Sequence, residues 1–400
     1  MLFPNLFSPI YLGRHQIRNR IIMAPMLAGY GTTGGEVTPA MLEYYRARAA
    51  GGVGLVVAEA ACVDYPAGLE TYRQLRLDHP RYLSGLETLS RTIQAGGARA
   101  IIQLFHAGRQ TSSSVTGVQP VAPSPLPCPM MKEIPRELNT AEVEELAGRF
   151  TAAAVLARLA GFDGVELHAA HGYLLNQFLS PHSNQRQDQY GGSLENRMRL
   201  LLDITRVIRK DWPEGILSVR INIDDFVTGG LTPEESVKVC QELQQAGIDL
   251  IHCSCGTYAS GLTSIEPASY PQGWKVHLAE KVKASVTIPV ATGGMVRDPA
   301  AAEAIISNGQ ADLVFLGRSL LADPNWAYKA REGRTDDIRP CLHCNNCSQS
   351  NFSGLSVSCT VNPWAGREEA RFGGAGKTGL KVVVVGGGPG GMQAALSLSQ

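Results

Sequence analysis

Residues 164–197 read GVELHAAHGYLLNQFLSPHSNQRQDQYGGSLENR, and two histidines and a tyrosine, His168, His171 and Tyr173, fall close together within that run. Two imidazoles and a phenol can hold a carbonyl oxygen and hand over a proton. The same side chains could instead cap the apolar run 164–167 that precedes them, as polar residues at strand ends often do. A second group is Cys341-x2-Cys344-x2-Cys347-x11-Cys359. Four thiolates so spaced can share one metal centre. Spacing alone leaves tetrahedral zinc and an iron–sulfur centre open, with the distant fourth cysteine leaning toward [4Fe–4S]. A third is the loop from Gly386 through Gly388 to Gly391, which fits G-x-G-x-x-G. It follows the apolar run 381–385, expected as a strand, and opens a helical stretch, the context of a dinucleotide-binding turn.

Elements must bring such groups together, and the chain supplies a regular alternation. Eight short apolar runs, at 20–24, 55–60, 98–105, 163–168, 216–222, 249–253, 288–292 and 311–316, are separated by amphipathic stretches. Pro39–Ala50 has proline at its start and Gly51 just past its end. Thr232-Pro233-Glu234-Glu235 offers a cap and early acids for another helix. Eight strands alternating with helices predict a (β/α)8 TIM barrel, with an open doubly wound sheet as the runner-up. Barrel sites lie at the C-terminal strand ends. Here those ends carry Pro25 and Met26, Ala60, Gln103, the His168/His171/Tyr173 group, Arg220, Gly293-Gly294-Met295 and Gly317-Arg318. The two glycine-containing ends follow strands seven and eight, where barrels commonly bind phosphate. Glycine admits an anion close to backbone N–H groups and Arg318 adds charge. The phosphate could belong to a substrate or to a flavin mononucleotide.

Composition narrows the classes. The 400 residues are 44% hydrophobic and 18% charged, with 36 basic against 36 acidic residues. That balance gives no support to nucleic-acid binding. No apolar stretch approaches the roughly 20 residues that span a bilayer, and the N-terminus lacks a signal-peptide pattern, so a cytoplasmic location is expected. Nine cysteines, four of them crowded near the C-terminus, read as metal chemistry in a reducing compartment rather than a disulfide framework.

The pieces NRIIMAPM, IIQLFHAGRQ, the run containing HAAHGYLLNQF, SVRIN, ATGGM and LGRSL together resemble the Old Yellow Enzyme superfamily of flavin oxidoreductases, over residues 5–330. The cysteine extension makes the chain similar to the branch of 2,4-dienoyl-CoA reductase, enoate reductase and trimethylamine dehydrogenase. The resemblance implies FMN in a barrel. Pro25, Met26 and Ala60 would line its ring, Gln103 would bond its pyrimidine edge, and Arg220 would stand near N1. Gly294, Met295, Gly317 and Arg318 would hold its phosphate. It also implies a [4Fe–4S] cluster on Cys341, Cys344, Cys347 and Cys359.

The expected activity is reduction of an α,β-unsaturated carbonyl by hydride from FMN. His168 and His171 would clamp the oxygen and Tyr173 would donate the proton. Oxidative N-demethylation of the trimethylamine dehydrogenase type is the alternative. That branch usually has tyrosine where His168 stands, which favours the first. Leu27 departs from the Thr or Cys common after the Pro-Met pair. Three units follow: a barrel over 1–335, a cluster segment over 336–372, and over 373–400 the start of an incomplete Rossmann-type domain, with a linker at 373–376. The chain is therefore expected to be part of a longer protein, with Gly386, Gly388 and Gly391 opening a cofactor-binding fold whose remainder, in the relatives the resemblance implies, binds FAD and NAD(P)H and feeds electrons through the cluster to FMN. Residues beyond about 370 are expected to be poorly ordered or borrowed into a neighbour's packing. A homo-oligomer is compatible with the sequence.

Overall fold

The computed structural model describes residues 2–369 and 381–399. Its centre is a closed barrel of eight parallel strands: β1 (Ile21–Met23), β2 (Leu55–Cys62), β3 (Arg99–Phe105), β4 (Gly164–Ala169), β5 (Ile216–Asn222), β6 (Leu250–Ser254), β7 (Val290–Gly293) and β8 (Leu313–Leu316). Each strand pairs with the next in sequence, and β8 returns to β1 through Val314 opposite Ile21. The eight apolar runs therefore become the eight staves, and the doubly wound alternative is excluded.

Nearly every strand residue is buried, because helices cover the outside and side chains fill the inside. The period of two sorts them. Leu55, Val57, Ile101, Ile216, Leu250, Ala291 and Leu313 form one cluster within the barrel. Val56, Ala58, Ile102, Val165, Leu217 and Ile251 join the larger core beneath the helices. Further up, the residues in step with the inner set turn polar: Gln103, Glu166, Ser218 and His252.

The helices begin where local chemistry starts them. Thr38 accepts from the Met41 N–H to cap Pro39–Ala50. Asn139 and Glu142 form a reciprocal capping box on Thr140–Leu159. Thr232 caps Pro233–Gln245. In β2 the pairing with β3 slips between Ala58 and Ala61, so Glu59 and Ala60 sit at an irregularity that re-aims the strand end.

The segment after the barrel is stitched to it. Val357 N–H donates to the Ala28 carbonyl at 2.9 Å, Tyr30 hydroxyl to the Val357 carbonyl at 2.6 Å, and Ser356 hydroxyl to the Gly29 carbonyl at 2.7 Å. Arg48 and Glu368 form a buried ion pair at 2.8 Å. The proposed linker at 373–376, and the domain boundary beside it, lie outside the described residues.

The expected strand at 381–385 is not formed: those residues carry no regular structure. Val383 and Val385 are 84% and 94% exposed. A strand needs a neighbour to satisfy its N–H and C=O groups, and among the described residues this run has none. The turn and helix that should follow are present. Pro389–Ser399 is helical, Gly386 has φ +107°, and a Cβ at Gly391 would lie 1.9 Å from the Gly386 carbonyl oxygen. No helix among the described residues is long and apolar enough to cross a membrane.

Candidate active site

At the C-terminal end of the barrel lies a cavity of about 250 Å³. All the residues expected from the barrel to bind or react line it: His168, His171 and Tyr173, then Pro25, Met26, Ala60, Gln103 and Arg220, then Gly294, Met295, Gly317 and Arg318. The Rossmann-type glycines Gly386, Gly388 and Gly391 do not.

The floor is a hydrogen-bonded polar layer directly above the apolar interior. Glu166 accepts from Gln103 Nε2 at 2.8 Å and from Ser218 Oγ at 2.9 Å. It also meets His252 Nδ1 at 2.8 Å. His252, then Arg220, hold the Glu166 carboxyl below its ordinary value against its burial. Arg220 is buried, stacks 5.3 Å from the Phe315 ring centroid, and has an Nε with no partner among the described residues. A buried guanidinium with a free donor is costly unless an anion or acceptor meets it. Sequence reading missed Glu166, Ser218 and His252. The signal was there, since their positions continue the inward period of β4, β5 and β6.

One wall carries the imidazoles and phenols. His168 Nδ1 accepts from the Ala170 N–H at 3.3 Å, which leaves the ring proton on Nε2. His171 sits at φ +61° after β4, its N–H fixed to Asn222 Oδ1 at 3.1 Å and its Nε2 to Ser254 Oγ at 2.6 Å. Burial, reinforced by the Arg220 charge, pushes both imidazoles well below the usual histidine range. Both are neutral at neutral pH. The Tyr173 ring packs edge-on against Phe105 with centroids 4.6 Å apart. Its hydroxyl donates to Glu70 Oε1 at 2.7 Å and lies 2.9 Å from the Tyr258 hydroxyl. Tyr258 donates to the same Glu70 oxygen at 2.7 Å. Burial, then the Glu70 charge, raises Tyr173 well above the usual phenol range. Glu70 comes from a loop after β2 and Tyr258 opens the short 3₁₀ helix Tyr258–Thr263 after β6, far apart in sequence.

Elsewhere in the lining two cations share one carboxylate. Glu266 bonds Lys275 Nζ at 2.7 Å and Arg318 at 3.0 Å. Lys275 first, then Arg318, hold the Glu266 carboxyl below its ordinary value despite burial. Arg318 also donates to Asn345 Oδ1 at 2.6 Å. The cation expected to be open to phosphate therefore already shares a carboxylate. Gly293 leaves no room for a side chain, since a Cβ there would lie 2.5 Å from the Phe315 ring.

Behind this end, Cys341, Cys344, Cys347 and Cys359 line one smaller cavity with Arg318, Leu321 and Asn345. Cys341 Sγ accepts from the His343 N–H at 3.4 Å, and Cys344 Sγ lies 3.3 Å from Thr360 Oγ1. That hydroxyl lowers the Cys344 thiol, while burial raises Cys341 and Cys347. Among the described residues, no three of the His, Cys, Asp and Glu side chains converge on the point a single ion would occupy. Cys347 lines both cavities, with Ser348, Asn351, Phe352 and Val357 beside it in the larger one. Cys253 and Cys255 are buried and neither lines the larger cavity.

Known proteins match this arrangement. The family described as NADH:flavin oxidoreductase / NADH oxidase matches residues 5–337. The chain is 48% identical over 409 residues to the NADH oxidase of Thermoanaerobacter brockii, covering 100% of this chain and 62% of that protein. It is 34% identical to the cinnamate reductase of Clostridium sporogenes, covering 98% of this chain and 62% of the relative. A solved structure of 2-naphthoyl-CoA reductase with 2-naphthoyl-CoA superposes with a TM-score of 0.94 at 33% identity, covering 99% of this chain and 63% of that one. The chain thus spans about three fifths of the length of these relatives.

Proposed function

The chain belongs to the NADH:flavin oxidoreductase / NADH oxidase family, and from that premise we propose that it reduces the carbon–carbon double bond of an α,β-unsaturated carbonyl compound. One observation carries this reading. His168, His171 and Tyr173 face a common cavity whose floor holds a buried arginine with an unpartnered Nε.

The residues present fit a flavin mononucleotide. The free donor of Arg220 suits a ring that gains negative charge on reduction. Gln103 keeps its carbonyl oxygen for a ring N–H after its amide goes to Glu166. Pro25, Met26 and Ala60 would line the ring. Gly294, Met295, Gly317 and Arg318 would hold the phosphate, with Arg318 shared between phosphate and Glu266. When bound, the flavin would supply hydride chemistry. Cys341, Cys344, Cys347 and Cys359 would hold a [4Fe–4S] cluster that receives electrons originating in NAD(P)H. The four cysteines lining one small cavity, and the N–H donor to Cys341, support that assignment.

The chain's own groups then divide the work. His168, neutral with its proton on Nε2, and His171, steadied by Ser254, would hold the substrate oxygen and stabilise negative charge developing there. Tyr173, kept protonated by burial, would give its proton to the α-carbon. Phe105, Tyr258 and Phe352 add aromatic surface to the cavity. That surface supports a flat conjugated acyl group as substrate, in line with the cinnamate and naphthoyl compounds in the relatives' names. An enoate, enone or enoyl thioester is the proposed class.

The test is anaerobic purification, a visible spectrum with iron and sulfide assay, and turnover of cinnamate and 2-cyclohexen-1-one. Tyr173→Phe should lower alkene turnover by about 100-fold or more while reduction by dithionite stays unchanged. Undiminished turnover in that variant would remove the assigned role of Tyr173.

A further inference from the structure

The Glu70 carboxyl is joined to two phenols and, among the described residues, forms no ion pair with a cation. Its Oε1 lies 2.7 Å from the hydroxyls of both Tyr173 and Tyr258, and the two hydroxyls are 2.9 Å apart. Glu70 is brought there by a loop pinned to the barrel. Its N–H donates to Gln74 Oε1 at 2.8 Å, and Gln74 Nε2 donates to the Ala60 carbonyl at 3.0 Å. Tyr173 and Glu70 both line the cavity, yet Glu70 is part-exposed. The Tyr173 end of the cluster is buried, while Glu70 keeps part of its surface accessible to water. A carboxyl so placed is neither a counter-ion nor a cap.

We propose that Glu70 is the proton store of the site, refilling Tyr173 after each turnover. This rests on the reading of Tyr173 as the proton donor. The steps balance as follows. The Tyr173 O–H bond breaks as the new Cα–H bond forms from the enolate electron pair of the substrate, leaving a phenolate. The Glu70 carboxyl O–H then breaks and the Tyr173 O–H re-forms, leaving a carboxylate. Water returns one proton to Glu70 through its exposed edge. No electrons move beyond those already placed in the alkene. Burial raises the Glu70 carboxyl above its ordinary value, with only the two phenols opposing it, so the group holds a proton more readily than a surface glutamate. Tyr258 makes the second bond to the same oxygen and fixes the carboxyl against Tyr173. Glu70 acts through Tyr173 and does not itself face the reacting carbons.

The groups that face the cluster are Tyr173 and Tyr258, then His168, His171 and Arg220, with Lys275 and Glu266 across the cavity. A pH profile must therefore be read against variants. Flavin-loaded protein, reduced with dithionite and mixed with 2-cyclohexen-1-one, is followed in single-turnover and steady-state modes from pH 6 to 9. In Glu70→Gln the first turnover should stay within about twofold of the parent. Steady-state turnover should fall about tenfold at pH 8.5 and much less at pH 6, where solvent protons are abundant. Tyr258→Phe removes one of the two bonds to the Glu70 oxygen but leaves the Glu70–Tyr173 bond, and should alter the profile less than Glu70→Gln does. A second readout is independent of turnover. Comparison of Glu70→Gln with Glu70→Gln/Tyr173→Phe by ultraviolet difference titration should show the Tyr173 phenol ionising at lower pH than in the parent, because an amide donor replaces a carboxylate.

A Glu70→Gln profile parallel to the parent at every pH overturns the proposal, and so does an unmoved phenol titration. Loss of the profile in Tyr258→Phe but not in Glu70→Gln also overturns it, placing the store on Tyr258. If Tyr173→Phe turns over normally, the reading of the site falls first and this proposal with it. If Tyr173→Phe is slow while Glu70→Gln is indifferent, only the proposal falls.

Discussion

Glu70 and Glu266 line the same cavity and are opposites. Glu70 meets two neutral phenols, and burial raises its carboxyl. Glu266 meets Lys275 and Arg318, and their charges hold its carboxyl down although it is the more buried of the two. The partners, not the depth, decide which carboxyl can carry a proton and which is a fixed counter-charge. Divergent environments of this kind assign acid and electrostatic roles within one site. Glu59 and Glu166 repeat the contrast one layer away. Glu166 is held down by His252 and Arg220, whereas burial lifts Glu59 to about 8, with an N–H from Ala28 as its main compensation.

Removing the charge of Glu266 is the strongest way to sharpen this comparison. Glu266→Gln leaves Lys275 and Arg318 facing each other, and flavin-free protein should lose roughly 3 kcal/mol in urea unfolding. Phosphate at millimolar concentration should restore more stability to that variant than to the parent, because two cations are released. Equal response to phosphate would show that Glu266 does not compete for the anion.

A smaller effect comes from pH. A carboxyl raised in the folded state stabilises most below its unfolded value, and that stability is lost as pH rises through the folded value. For Glu59 the window runs from about 4.5 to about 8. The unfolding free energy of the parent should decline across it by more than that of Glu59→Gln, a difference on the order of a few kcal/mol. Identical slopes would break the contrast between Glu59 and Glu166. The smallest effect is Gln74→Ala, which removes the two bonds anchoring Glu70. Stability should drop by about 1–2 kcal/mol, with a partial copy of the Glu70→Gln turnover defect. Full activity in Gln74→Ala would mean that Glu70 is placed by its phenols alone.

Much of the barrel was legible because its strands are buried on both faces and stand out as apolar runs. Pro39–Ala50 and Pro233–Gln245 were legible through Thr38, Thr232 and their prolines. His168, His171, Tyr173 and Arg220 were legible because barrel chemistry gathers at strand ends. Glu70, Tyr258, Glu266 and Lys275 were not. They reach the cavity from the connections after the second and sixth strands, beyond the strand ends themselves. Glu166 and His252 were readable in principle from the inward period but looked like ordinary strand residues. Residues 381–385 misled in the other direction. Valines favour a strand, yet propensity without a pairing partner among the described residues leaves an irregular, exposed run.

The stitching of residues 356–357 onto residues 28–30 has a practical consequence for anyone recombining such proteins. Cys347, Phe352 and Val357 belong to the pocket wall as much as Ala28 and Tyr44 do. A chimera joined just past the eighth stave would therefore inherit a chamber open on one side. A graft that respects the architecture would transplant the loop after the first strand and the cysteine-bearing tail together, as a single matched pair.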